Sequence, residues 1–186
     1  MKILESRYLN ELSAKVNTRA NNNGWWDTPR PLRRTLGLVI TEMSEAVEAV
    51  RVGRFAPNGC ISTARNCMDE GLDVFVSYFG GVVKDTLEDE IADSFIRVLD
   101  FIGQEKLFCR DLVPVIISEK DPMDFFVNFV KLVNPRFDNI SSDGACDLLD
   151  YLVGCAIHFD FDLLGHVSMK LDYNATRGIR HGGKGF

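Results

Sequence analysis

The stretch "LGLVITEMSEAVEAV" (36–50) decides how this chain folds. Leu36, Val39, Ile40, Met43, Ala46, Val47 and Val50 recur at three- and four-residue intervals, the period of one helix face. The spacing predicts a helix over about 32–54, with Pro31 suited to its first turn and "GRFAPNG" ending it. The stretch also carries Glu42, Glu45 and Glu48, three residues apart. At about 100° per residue, Glu42 borders the apolar stripe, Glu45 sits beside it, and Glu48 turns towards water. Carboxylates three apart share a helix side, so two of them can converge on one point.

Working outward, other segments repeat the helical pattern. Residues 3–20 put Leu4, Tyr8, Leu12 and Val16 near one stripe, and "ANNNGWWDTPRP" (20–31) reads as a connector. Residues 84–102 place Leu87, Ile91, Phe95, Val98 and Ile102 on one buried face. "DPMDFFVNFVKLV" (121–133) reads as a short helix, and "SSDGACDLLDYLVGCAIHF" (141–159) as another, with Ser141 or Ser142 as its cap. A last helix is expected over about 161–175. Within 61–80, "LDVFVSYFGG" is β-branched and aromatic enough for a short strand, although a core helix or inserted segment is favoured. Residues 103–120 read as a link. The expectation is an all-α helical bundle in one domain over 1–186, with inserted segments at 55–83 and 103–142.

Composition narrows the function classes. The chain has 186 residues, is 46% hydrophobic, and carries 21 basic against 27 acidic side chains, a formal net charge of −6. It can bury a core, and its overall field attracts neither nucleic-acid polymers nor anionic membranes. No apolar run is long enough for a signal core or a membrane span, and the five scattered cysteines have neither zinc nor CxxC spacing. Free thiols in a reducing, cytoplasmic setting fit this usage. His158, His181 and Cys109 lack the neighbours that zinc binding or nucleophilic catalysis requires.

A second acidic pair changes the reading of the first. In "LEDEIADSF" (87–95), Glu90 and Asp93 are three apart and flank the buried side, while Ala92 leaves room beside them. Two such pairs on facing helices repel unless a counter-ion joins them, and Mg²⁺, with Mn²⁺ as substitute, suits an all-oxygen donor set. The competing reading is the wet face of two amphipathic helices. At the other end, "KLDYNATRGIRHGGKGF" (170–186) gathers Lys170, Asn174, Arg177, Arg180, His181 and Lys184. Arg forks and Lys point charges suit oligophosphates, and a solvated basic terminus is the alternative. Trp25 and Trp26 either stack on a nucleobase or pack the connector.

The order "EMSE" (42–45), "EIAD" (90–93) and the Lys/Asn/Arg segment resembles the MazG-like all-α nucleoside triphosphate pyrophosphohydrolase superfamily. The resemblance implies a helical homodimer or homotetramer with Mg²⁺ held by Glu42, Glu45, Glu90 and Asp93, the catalytic acids. It further implies that Lys170, Asn174, Arg177 and Lys184 meet the phosphates of a nucleotide cleaved to monophosphate and pyrophosphate. Phosphoribosyl-ATP or a single deoxynucleotide is an alternative substrate. A non-catalytic helical interaction module is the reading from another class.

Overall fold

The computed structural model describes residues 4–179, and among these there is no strand. Eight α-helices account for the fold: α1 (Ser6–Asn22), α2 (Leu32–Arg51), α3 (Cys60–Glu70), α4 (Leu72–Tyr78), α5 (Leu87–Gln104), α6 (Pro122–Val133), α7 (Ser142–His158) and α8 (Leu163–Thr176). The helix expected over 32–54 is α2, which ends at Arg51. None of the helices is long and apolar enough to cross a membrane.

The centre of the bundle is α5, which packs against α1, α2, α7 and α8. Leu87, Ile91, Phe95, Val98, Leu99 and Ile102 are all buried. Full burial of each such side chain favours folding by about 1.5–3 kcal/mol, an upper bound because the unfolded chain already hides some of this surface. The start of α5 is tied in two directions. Thr86 Oγ1 accepts the Asp89 N–H at 3.4 Å, and the Asp89 carboxylate accepts the Asp85 N–H at 3.0 Å. These bonds satisfy backbone donors that a helix start leaves open.

On α1 the buried line is Leu9, Ser13 and Val16, while Tyr8, expected on the stripe, is exposed. A serine occupies a core position because its hydroxyl donates to the Leu99 carbonyl at 2.8 Å. Hydropathy alone cannot anticipate a polar residue whose bond is satisfied inside. Gly103 permits the close approach: a Cβ there would lie 2.6 Å from Asn17 Cβ.

Residues 55–83 form α3, α4 and a π-helical turn, Phe79–Val83. The segment compatible with a strand is helical because Phe75, Phe79 and Val83, four apart, make one stripe. With Cys60 and Ala64 they enclose a second, smaller core against Met169 of α8. Tyr173 of α8 stacks on Phe79 with ring centroids 4.3 Å apart.

After α5 the chain crosses the bundle as an extended strap over residues 107–120, with no regular secondary structure. Leu112 N–H donates to the Leu4 carbonyl at 3.0 Å, and Val115 N–H to the Asp150 carbonyl at 3.2 Å. The Asp150 carboxylate accepts Val113 N–H at 2.7 Å and Arg110 at 2.8 Å. Asp121 then caps α6, and Ser141, one of the two expected serines, caps α7. Gly154 on α7 lets the strap sit down: a Cβ there would be 2.3 Å from the Val115 carbonyl oxygen. Gly154→Ala should therefore cost about 1–3 kcal/mol in urea unfolding. Gly37→Ala on α2, with nothing within 4 Å of its Cβ, should stabilise by about 0.5–1 kcal/mol.

Candidate functional site

The packing of α2 on α5 and of α8 on α5 opens one cleft of about 540 Å³, within the range of small-molecule sites. Glu42, Glu45, Glu90, Asp93, Lys170, Asn174, Arg177 and Trp25 all line it. Lys184, like Arg180 and His181, lies outside the described residues. Trp26 does not line the cleft; its indole N–H donates to both oxygens of Asp100, at 3.0 and 3.1 Å.

The acids are not equivalent. Glu42, Glu45 and Glu90 each offer an oxygen within 4.8 Å of the others, a spacing that can hold a divalent cation. Asp85, Asp89 and Glu90 form a second group of the same kind, sharing Glu90. Asp93 belongs to neither group and is instead bound by Lys170 at 2.7 Å. Glu48 is exposed and pairs with Arg51 at 2.8 Å.

Two cations hold this acidity in place. Lys170 Nζ reaches Asp89 and Asp93 at 2.7 Å each, with all but 5% of its side chain covered. Burial opposes its charge, but the two aspartates outweigh it and hold the ammonium well above its usual range. Arg97, four residues after Asp93, donates Nε to Glu42 Oε1 at 2.6 Å, and its Nη2 pairs with the same oxygen. Glu42 can thus lie buried as an anion without its own counter-ion in solvent.

Among the described residues Glu90 has no direct ion pair, and Lys170 relieves it only in part. Burial, then the neighbouring Asp89, push its carboxyl up to about 9. Asp89 is raised to about 6 by burial despite Lys170. Glu45 is also raised, by partial burial and by Glu42. Three raised carboxyls, two of them in the first turn of α5 where the dipole already favours negative charge, exceed what Lys170 and Arg97 neutralise. A hard cation would complete that balance, and Glu42, Glu45 and Glu90 are the residues placed to hold it.

Lys170 and Asn174, four apart on one side of α8, and Arg177 at its C-cap also line the cleft. Asn174 Oδ1 is buried with no hydrogen-bond partner in the protein. Arg177 lies over the Tyr173 ring at 5.8 Å. Sequence reasoning missed Asp89, Arg97, Arg30 and Asp100. Two signals existed: Thr86 and Asp89 have capping spacing, and Arg97 stands one helical turn after Asp93.

Lys170→Met should destabilise the fold by about 3–5 kcal/mol, because it leaves the buried Asp89 and the half-buried Asp93 without their cation; equilibrium unfolding measures it. The raised Glu90 carboxyl gives a pH signature. Its folded value of about 9 lies above the ordinary 4.5, so between these values the folded state holds the extra proton, and stability falls as pH rises. The metal-free thermal midpoint should drop from pH 5 towards pH 9, and added Mg²⁺ should recover it increasingly at the alkaline end. Compared with protein-family models, curated proteins and solved structures, the chain matches none.

Proposed function

We propose that this chain is a Mg²⁺-dependent nucleotide pyrophosphohydrolase, converting a nucleoside triphosphate to its monophosphate and pyrophosphate. The observation that carries this reading is one cleft with three converging glutamates on α2 and α5 and a row of anion-binding donors on α8. The MazG-like order of the motifs agrees with it. When bound, Mg²⁺ supplies Lewis acidity and cancels charge between the carboxylates and the phosphate oxygens.

The chain's own groups do the rest. Glu42, Glu45 and Glu90 would hold the cation, with Asp93, paired to Lys170, beside them. Lys170 and the guanidinium of Arg177 neutralise the phosphate oxygens, and the Asn174 amide donates to them. Glu45, exposed on the cleft wall, is suited to take the proton of the attacking water. Water then adds to the α-phosphorus, the α–β anhydride bond breaks, and pyrophosphate leaves. The exposed Phe108, Val113 and Ile116 on the strap support assembly as a homodimer or homotetramer, which light scattering after size exclusion measures.

One observation favours a non-catalytic helical module instead: Glu42 and Asp93 already have cationic partners. A panel of nucleotides, phosphoribosyl-ATP and deoxynucleotides included, with and without Mg²⁺ and read by phosphorus NMR, separates the readings. Pyrophosphate should appear only with metal. Glu45→Gln and Glu90→Gln should each lower turnover by about 100-fold or more while helicity stays unchanged. Folded protein that releases no phosphorus product from any of them would sink the hydrolase reading.

A further inference from the structure

The far end of the cleft, beyond the acids, carries a carboxylate with acceptor capacity left over. Asp100 lines the cleft, seven residues after Asp93 on α5. Its Oδ1 accepts Trp26 Nε1–H at 3.0 Å and Asn17 Nδ2–H at 2.9 Å, whereas Oδ2 accepts Trp26 alone, at 3.1 Å. A carboxylate oxygen takes two donors, so Oδ2 has one lone pair to offer. Among the described residues no cation forms a direct ion pair with Asp100, although Arg30 and Arg97 act on it from farther off. Burial raises the carboxyl above its ordinary range, and the Asn17 and Trp26 bonds and the more distant charges of Arg30 and Arg97 resist it.

The surroundings have the form of a ring-binding wall. Arg30 lies over Trp26 and Trp25, its guanidinium carbon 4.9 and 5.8 Å from their centroids, and donates to the Trp25 carbonyl at 3.0 Å. Trp25 and Arg30 line the cleft next to the apolar Val16, Ala20 and Ile96. Flat aromatic and guanidinium faces with an apolar floor suit a nucleobase. Seven residues of helix separate Asp93 from Asp100 by about 10 Å, roughly the reach of a ribose and its first phosphates. The three residues Asp93, Arg97 and Asp100 face the same side of α5.

We propose that Asp100 selects the base: its Oδ2 accepts an N–H from an exocyclic amine, so the cleft prefers 4-aminopyrimidines and 6-aminopurines over their oxo counterparts. An oxo group in the same place turns its lone pairs against the half-buried carboxylate and leaves the spare acceptor site of Oδ2 unfilled. Trp26 and Asn17 position Asp100, and Trp25 and Arg30 hold the ring. This specificity rests on the nucleotide reading of the cleft, and the two are separable by experiment.

CTP against UTP, and ATP against ITP, are pairs that differ in this group. Wild-type protein with Mg²⁺ should favour the amino member of each pair by about 10- to 100-fold in kcat/KM, the strength of a hydrogen bond to a charged acceptor. Asp100→Asn keeps an oxygen for Trp26 and presents an amide N–H to the cleft. It should shrink the preference to within about threefold or reverse it, while losing the second Trp26 bond lowers the thermal midpoint without unfolding the protein. Equilibrium dialysis of CMP, UMP, AMP and IMP supplies a second readout that needs no turnover. If no triphosphate is cleaved but the amino nucleotides bind preferentially and Asp100→Asn abolishes that preference, the hydrolase reading fails and the base selector stands. Equal handling of both members by the wild type in both assays overturns the proposal. So does a variant that lowers both members by the same factor, which is the signature of a brace for Trp26 alone.

Discussion

The ammonium of Lys170, shared between Asp89 and Asp93, is the contact on which the rest of the cleft depends. It crosses from α8 to α5, the helix every large neighbour leans on. A buried ion pair is a poor source of net stability, because the desolvation of its members offsets their attraction. Its worth lies in register. Only one rotation of α8 brings Lys170 to both aspartates, and that rotation also carries Asn174 and Arg177 to the cleft wall. The same contact holds Asp89, which closes the start of α5 through the Asp85 N–H. One side chain thus sets the helix start, the helix pair and the donor row.

Charge in the cleft is arranged by distance from this lysine. Asp93 and Glu42 each have a basic partner, on α8 and on α5 respectively. Glu90 and Glu45 have none within ion-pair reach among the described residues, and both are raised. The protein therefore keeps part of the site neutralised by its own cations and leaves a smaller part in deficit. A divalent ion matches that deficit, and an ion of lower charge matches it less well.

Much of the helical architecture was legible in the sequence because it follows periodicity. The apolar repeats of α2 and α5 reappear as buried faces, and their acids border those faces as the angular spacing requires. What was illegible depended on partners distant in sequence. Ser13 is buried because Leu99 offers a carbonyl, and on the same helix Tyr8 faces the surface. Residues 72–83 have strand-like composition, yet four-residue spacing of Phe75, Phe79 and Val83 and the waiting surface of α8 make them helical. The pairing of Glu42 with Arg97 and of Asp93 with Lys170 could not be read either. Each needs two helices in known rotation, which a one-dimensional pattern does not contain. Trp26 is the same case, since only Asp100 across the connector explains its orientation.

The small core of α3, α4 and the π turn meets the main bundle through α8, where Met169 belongs to it and Leu163, Val167 and Leu171 belong to the larger core. The two sets of side chains are nearly disjoint but meet along α8, where Cys60 Sγ lies 3.7 Å from His166 Nε2. Lys84 and Asp85, at the end of that lobe, nonetheless stand on the cleft's rim. Evolution is thereby given a separable part. Residues 60–78 can drift, lengthen or exchange apolar contacts and reshape the mouth of the cleft, while the acids and the lysine beneath keep their register.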